Sequence, residues 1–239
     1  MAMALMVATR LWLGGVISAK RDKPLIAELM GKVRGMALYR PLLIAVDGFS
    51  SYVSTTRDAF RSKVPRWGVG GRCRLRAWDD IAIVQVVKGG AAAFIERRIV
   101  QGNPARVAEL IATSQGAGGI NTAYIERLNA TFRSCLCWLT RRTRSLAHQH
   151  QTLWAGMYVV GCLYNLCDYH ASLRVELHMV RGKRRWLQRT PAIAAGLTDH
   201  PWSPLELFAY KVPPPRWLPP KQRGRRSKQM RQTIQKWAA

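Results

Sequence analysis

Residues 41 to 48, PLLIAVDG, constrain the fold more than any other stretch of the chain. The run is apolar, partly β-branched and too short for a helix, and Asp-Gly ends it, so it reads as a buried strand of an α/β sheet. Asp47 closes that strand. A carboxylate there stands at the sheet edge where α/β folds place ligands and catalytic groups, although a turn-forming or helix-capping role accounts for it equally well.

The flanking sequence extends the α/β pattern. LWLGGVIS, 11 to 18, reads as a second buried strand. The opening MAMALMVATRLWLGGVIS resembles a signal peptide only loosely, since it lacks a basic start and Arg10 interrupts the apolar run. Asp22 supplies an N-cap and Pro24 a first-turn proline for an amphipathic helix through Met36, and another helix follows Gly48 through about Ser62. Between 65 and 120, the turn-rich pieces RWGVGGRCR, KGGAAA and SQGAGG punctuate two strand-like runs and a short helix near 104 to 113, which predicts a β-hairpin insertion. Two long helices are expected over 122 to 146 and 150 to 168. The most apolar of these segments, 153 to 167, has 15 residues, short of the roughly 18 to 20 that span a bilayer.

Charge narrows the partners. Thirty-eight Lys and Arg oppose 13 Asp and Glu, a formal net charge of +25, which points to a polyanion, with nucleic acid ahead of a membrane surface. The segment 211 to 236 carries nine Lys and Arg and no acid, and its prolines and charge predict a disordered basic arm. Residues 1 to 210 then form one domain and 211 to 239 a tail. Five cysteines without a C-x-x-C spacing give neither a disulfide framework nor a zinc site, and suit a reducing, cytoplasmic setting.

Against this excess of cations, Glu126 stands out in NTAYIERLNATFR. Ile125, Leu128, Phe132, Leu136 and Leu139 form one apolar stripe, and Glu126 projects from another face with Thr122 and Asn129 about a turn away. A surface ion pair with Arg133 or with a neighbouring helix explains it when the helix is taken alone. Paired with Asp47, it suits a divalent cation, because Mg²⁺ takes a few carboxylate oxygens together with phosphate oxygens.

These stretches resemble the DDE transposases of bacterial insertion sequences. LLIAVDGFSSYVSTTRDAFR is similar to the strand and helix carrying the second catalytic Asp, here Asp47, and INTAYIERLNATFRSCL to the helix carrying the final Glu, here Glu126. YNLCDYHASLR and RTPAIAAGLTDHPWSPLELF are similar to the C-terminal region of such enzymes, so the resemblance covers about 10 to 220. It implies a ribonuclease H-like fold, a mixed sheet flanked by helices, and metal-dependent DNA strand cleavage and transfer with two Mg²⁺ or Mn²⁺ ions.

The family's first Asp has no counterpart. MVATRLWLGGVIS matches the second and third strands, so the chain is expected to be a truncated copy with an incomplete metal site and impaired catalysis. DNA, both transposon ends and target, is the implied partner, in the bacterial cytoplasm at the nucleoid. Arg127, Asn129 and Arg133 on the Glu126 helix, Arg181, Lys183, Arg184 and Arg185, and Lys221, Arg223, Arg225 and Arg226 are the expected nucleic-acid contacts. A missing sheet strand also leaves an edge that invites association with a second copy or an intact relative. A non-catalytic DNA-binding regulator and a basic RNA-binding protein are the competing readings.

Lesser candidates carry less. Asp79 and Asp80 read as a surface turn, and Cys135 and Cys137 as small apolar packing groups. Trp67, Trp78 and Trp186, beside arginines, suit packing better than base stacking.

Overall fold

The computed structural model describes residues 1–37, 41–64, 72–89, 94–115, 118–140, 144, 147, 149–180, 183–213 and 224–237. The chain divides into two units, Met1–Pro204 and Leu205–Ala239.

The first unit is mixed α/β. It opens with an antiparallel hairpin, β1 (Ala2–Leu5) and β2 (Trp12–Val16). Helix α1 (Lys23–Met36) starts where Asp22 Oδ1 accepts the Leu25 amide at 3.1 Å, as its capping chemistry predicts. Leu25, Ile26, Leu29 and Met30 form its buried stripe against Ala2 and Val16 of the hairpin. Farther along, Val33 packs toward β3 (Leu42–Asp47) beside Leu42, Ile44 and Val46, so one helix serves two sheets.

Helix α2 (Ser51–Ala59), β4 (Arg61–Val64) and β5 (Arg74–Ala77) come next, the two strands pairing as a separate antiparallel ribbon. β6 (Ile81–Lys88) runs parallel to β3 and antiparallel to β7 (Ile95–Gln101), giving a mixed sheet in the order β3-β6-β7. Every residue from Ile81 to Val86 is buried. Ile81 and Ile83 face Val46, Phe60 and Trp78, while Ala82 and Val84 face Val107 and Ile111 of α3 (Pro104–Gln115).

Two expectations change here. The run IAIVQVV, assigned to an insertion, is the middle strand of this sheet, because β3 pairs with it along its whole length. β3 in turn is less enclosed than an apolar run implies. Among the described residues it pairs on one side only, and of its six residues Val46 alone is buried.

Helix α4 (Ala123–Cys135) buries Leu128 and Phe132, and Leu136 just beyond it, on the stripe read from the sequence. The helix stops well before residue 146, because Leu136 turns extended (φ −114°, ψ 101°) and a 3-10 turn over Cys137–Leu139 follows. Cys135 and Cys137 are exposed, contrary to the packing role expected of them.

Helix α5 (His150–Leu166) closes the same cluster, with Met157 and Tyr164 against Met3, Trp12, Leu128 and Phe132. Asn165 locks it to the hairpin: its Oδ1 accepts the Trp12 amide and its Nδ2 donates to the Trp12 carbonyl, both at 2.9 Å. A last antiparallel ribbon pairs β8 (Val175–Val180) with β9 (Lys183–Leu187). No helix among the described residues is long and apolar enough to cross a membrane.

In the second unit, Lys228–Trp237 is helical where the sequence predicts a disordered arm. The prolines of the segment all precede it. Ser227 starts the helix by accepting the Met230 amide on its hydroxyl at 3.2 Å.

Candidate functional site

Asp47 and Glu126 reach the same end of the central sheet by different routes. Asp47 is the last residue of β3 and pairs in register with Val86. Lys88, two residues farther along β6, shares the face of Val86 by strand alternation. Its Nζ donates to Glu126 Oε1 at 2.5 Å. The carboxylate of α4 is thereby tied to the strand beside Asp47.

Each carboxylate is held by its own cation. Arg21 Nη2 lies 2.5 Å from Asp47 Oδ2, while Oδ1 accepts the Phe49 amide at 3.0 Å and closes a short turn. The Arg21 guanidinium also lies over the Phe49 ring, 4.8 Å from its centroid. Burial pushes the neighbouring Tyr52 hydroxyl up, and the Asp47 charge adds to that. Glu126 accepts from Lys88 and from Thr122 Oγ1 (2.6 Å), so the ion-pair partner is Lys88 and not Arg133.

The Glu126 contacts have a titration signature. The hydrogen bonds from Lys88 and Thr122 hold the Glu126 carboxyl below its usual range. For a carboxylate with a lowered folded pKa, the stabilisation is complete above the ordinary value and is lost as pH falls through the folded one. Lys88→Ala is therefore expected to move the Glu126 midpoint upward in an NMR titration of its side-chain carboxyl. An unchanged midpoint would show that Lys88 does not hold it.

A buried amide supports Asp47 from beneath. Gln85, 2% exposed in the middle of β6, donates from Nε2 to the Asp47 carbonyl at 2.8 Å. Its Oε1 accepts from Arg98 Nε and Nη2 of β7 at 2.9 and 2.6 Å. The three strands are thus cross-linked at the level of Asp47. Gln85, Arg21 and Lys88 belong to no sequence motif, yet a lone amide inside IAIVQVV is a polar group that burial obliges to find partners.

The side chains of Asp47 and Glu126 are 48% and 49% exposed. Exposed ion pairs contribute at most about 1 kcal/mol, so neither Arg21 nor Lys88 holds its carboxylate strongly. The donor type suits Mg²⁺ or Mn²⁺, which take carboxylate oxygens and complete their shell with water or phosphate. No group of three or more His, Cys, Asp and Glu side chains gathers among the described residues.

The expected nucleic-acid contacts are dispersed. Arg127 and Arg133 are exposed and Asn129 half-buried on α4. Arg185 is exposed on β9, on which Lys183 and Arg184 are described by backbone alone. Arg225 is exposed and Arg226 half-buried in the second unit. Arg181, Lys221 and Arg223 lie outside the described residues, as does Trp67. Trp78 is buried, with Arg34 stacked 3.7 Å from its ring centroid, and Arg174 stacks over Trp186 at 4.2 Å. Asp79 sits in an exposed turn, paired with Arg76 at 2.8 Å.

No known protein family, curated protein or solved structure matches the chain.

Proposed function

We propose that this chain is a transposase-type domain of ribonuclease H-like fold that binds DNA in the bacterial cytoplasm and has impaired metal-dependent strand cleavage and transfer. The position of Asp47 at the end of β3 and the tie of Glu126 to Lys88 on the neighbouring strand β6, in a chain of net charge +25, support this reading. Asp47 and Glu126 would hold the ion, and Gln85 fixes the strand end from which Asp47 projects. When bound, such ions activate the attacking oxygen and stabilise the leaving one in phosphodiester chemistry. Two carboxylates are a sparse set for that task, which is why impaired activity is expected.

Mn²⁺ binding and nicking of supercoiled plasmid test the reading together. The chain is expected to bind Mn²⁺ weakly and to nick slowly, and Asp47→Asn or Glu126→Gln to abolish both. Unaltered Mn²⁺ affinity in the double variant would overturn the metal site.

A second reading, a non-catalytic DNA-binding regulator that associates with a second copy or an intact relative, is favoured by the edge of β3. This apolar strand carries no Lys, Pro or bulge and pairs with β6 alone among the described residues. Unprotected edges of that kind recruit further strands. Duplex binding and co-purification with an intact relative, without nicking, would favour this second reading.

A further inference from the structure

Among the described residues the β4–β5 ribbon joins no larger sheet, and it has almost no core of its own. All of its residues are exposed except the half-buried Ser62, including the apolar Val64 and Leu75. An isolated two-stranded hairpin is marginal in water, so its stability must come from its base. There Trp78 donates its amide to the Phe60 carbonyl at 3.0 Å and its Nε1 to Ser62 Oγ at 2.6 Å. The Trp78 and Phe60 rings meet edge to face at 5.4 Å within the cluster that also holds Val46 and Ile83. The ribbon therefore projects from the sheet that carries Asp47 and is anchored in that sheet's core.

Its charge is graded along its length. Residues 61–64 and 72–77 carry five cations, Arg61, Lys63, Arg72, Arg74 and Arg76, and no acid. The two nearest the base are neutralised, Arg61 by Asp58 at 2.7 Å and Arg76 by Asp79 at 2.8 Å. Lys63, Arg72 and Arg74 have no ion-pair partner among the described residues. The pairing Ser62↔Arg76 and Val64↔Arg74 puts Arg74 and Arg76 on one face, while Lys63↔Leu75 puts Lys63 on the other. Cations on both faces of a narrow projection suit a ligand that surrounds it with negative charge.

The geometry points to the β4–β5 ribbon as a duplex-DNA contact, with Lys63, Arg72 and Arg74 on the phosphates flanking a major groove. This rests on the reading of the chain as DNA-binding but not on the metal site. The B-form major groove, about 12 Å wide, admits a two-stranded ribbon. The A-form groove of RNA is too narrow and deep for one, which favours DNA over double-stranded RNA.

The test uses the full chain and a fluorescent duplex of about 25 base pairs, a length that allows more than one groove contact. Anisotropy titrations at several salt concentrations compare Lys63→Ala/Arg72→Ala/Arg74→Ala with a charge-matched variant, Lys20→Ala/Lys23→Ala/Arg144→Ala. Losing three phosphate contacts is expected to make the slope of log K against log salt shallower by about 2.7 and to weaken binding on the order of 100-fold near 0.15 M salt. The charge-matched variant should change far less.

Equal losses in the two variants would overturn the ribbon and leave only net charge. Retained duplex DNA binding with lost RNA binding would overturn DNA as its ligand. No duplex binding by the unaltered chain would instead overturn the DNA reading itself. The three ribbon side chains are exposed, so far-UV circular dichroism should be unchanged, and a Gln triple variant should reproduce the Ala result.

Discussion

Replacing Phe132 by alanine is expected to lower the unfolding free energy by about 3 to 5 kcal/mol, the range for deleting a fully enclosed aromatic side chain. Phe132 is 0% exposed and lies at the centre of the cluster where α4, α5 and the β1–β2 hairpin meet, its ring 5.6 Å from that of Trp12. Nothing beside it is free to collapse into the space. Leu128, Met157 and Trp12 are themselves packed to within a few percent of complete burial. Denaturant unfolding followed by tryptophan fluorescence measures the loss, and a change under about 1 kcal/mol would contradict the enclosure of this site. Ile125, only partly buried on the same stripe, supplies the contrast, since its truncation should be felt much less. The consequence reaches the candidate site. The buried face of α4, with Leu128 and Phe132 following Glu126 on the same helix, is what fixes Glu126 in front of Lys88.

The elements with strong local signals were legible. The Asp22 cap and Pro24 mark the start of α1 correctly, and the stripe from Ile125 to Leu139 identifies the buried face of α4. Pairings over long sequence distances were not. PLLIAVDG and IAIVQVV are both apolar, and nothing within either run says that the second is central and the first lies at an edge. Length misled at α4, because a periodic stripe continues through the extended Leu136 and the 3-10 turn, where the helix has already ended. In the tail, composition suggested disorder over the whole segment, but the prolines stop before Ser227 and the last residues can cap and close a helix.

The candidate site follows the same division. Asp47 is conspicuous because it ends a strand, and Glu126 because acids are scarce. Arg21, Gln85 and Lys88 become visible only when register brings them to those carboxylates.

Substituting Gly161 by alanine is expected to destabilise the protein by about 1 to 3 kcal/mol, whereas Gly31→Ala should stabilise it by about 0.8 to 1 kcal/mol. Both glycines are inside helices, so backbone propensity favours alanine equally at the two positions. Space decides the sign. A Cβ on Gly31 of α1 meets nothing within 4 Å, but one on Gly161 of α5 overlaps Cζ3 and Cε3 of the Trp12 ring. Trp12 has little room to yield. Asn165 holds its backbone at both amide and carbonyl, and its ring is set between Phe132 and Tyr158, at 5.6 and 5.4 Å. The opposite signs are read as opposite shifts in the urea midpoint with unchanged m-values. Stabilisation by both substitutions would mean that α5 does not seat its glycine on Trp12. The contact between helix and hairpin that closes the cluster behind α4 would then be wrong, and with it the support for the position of Glu126.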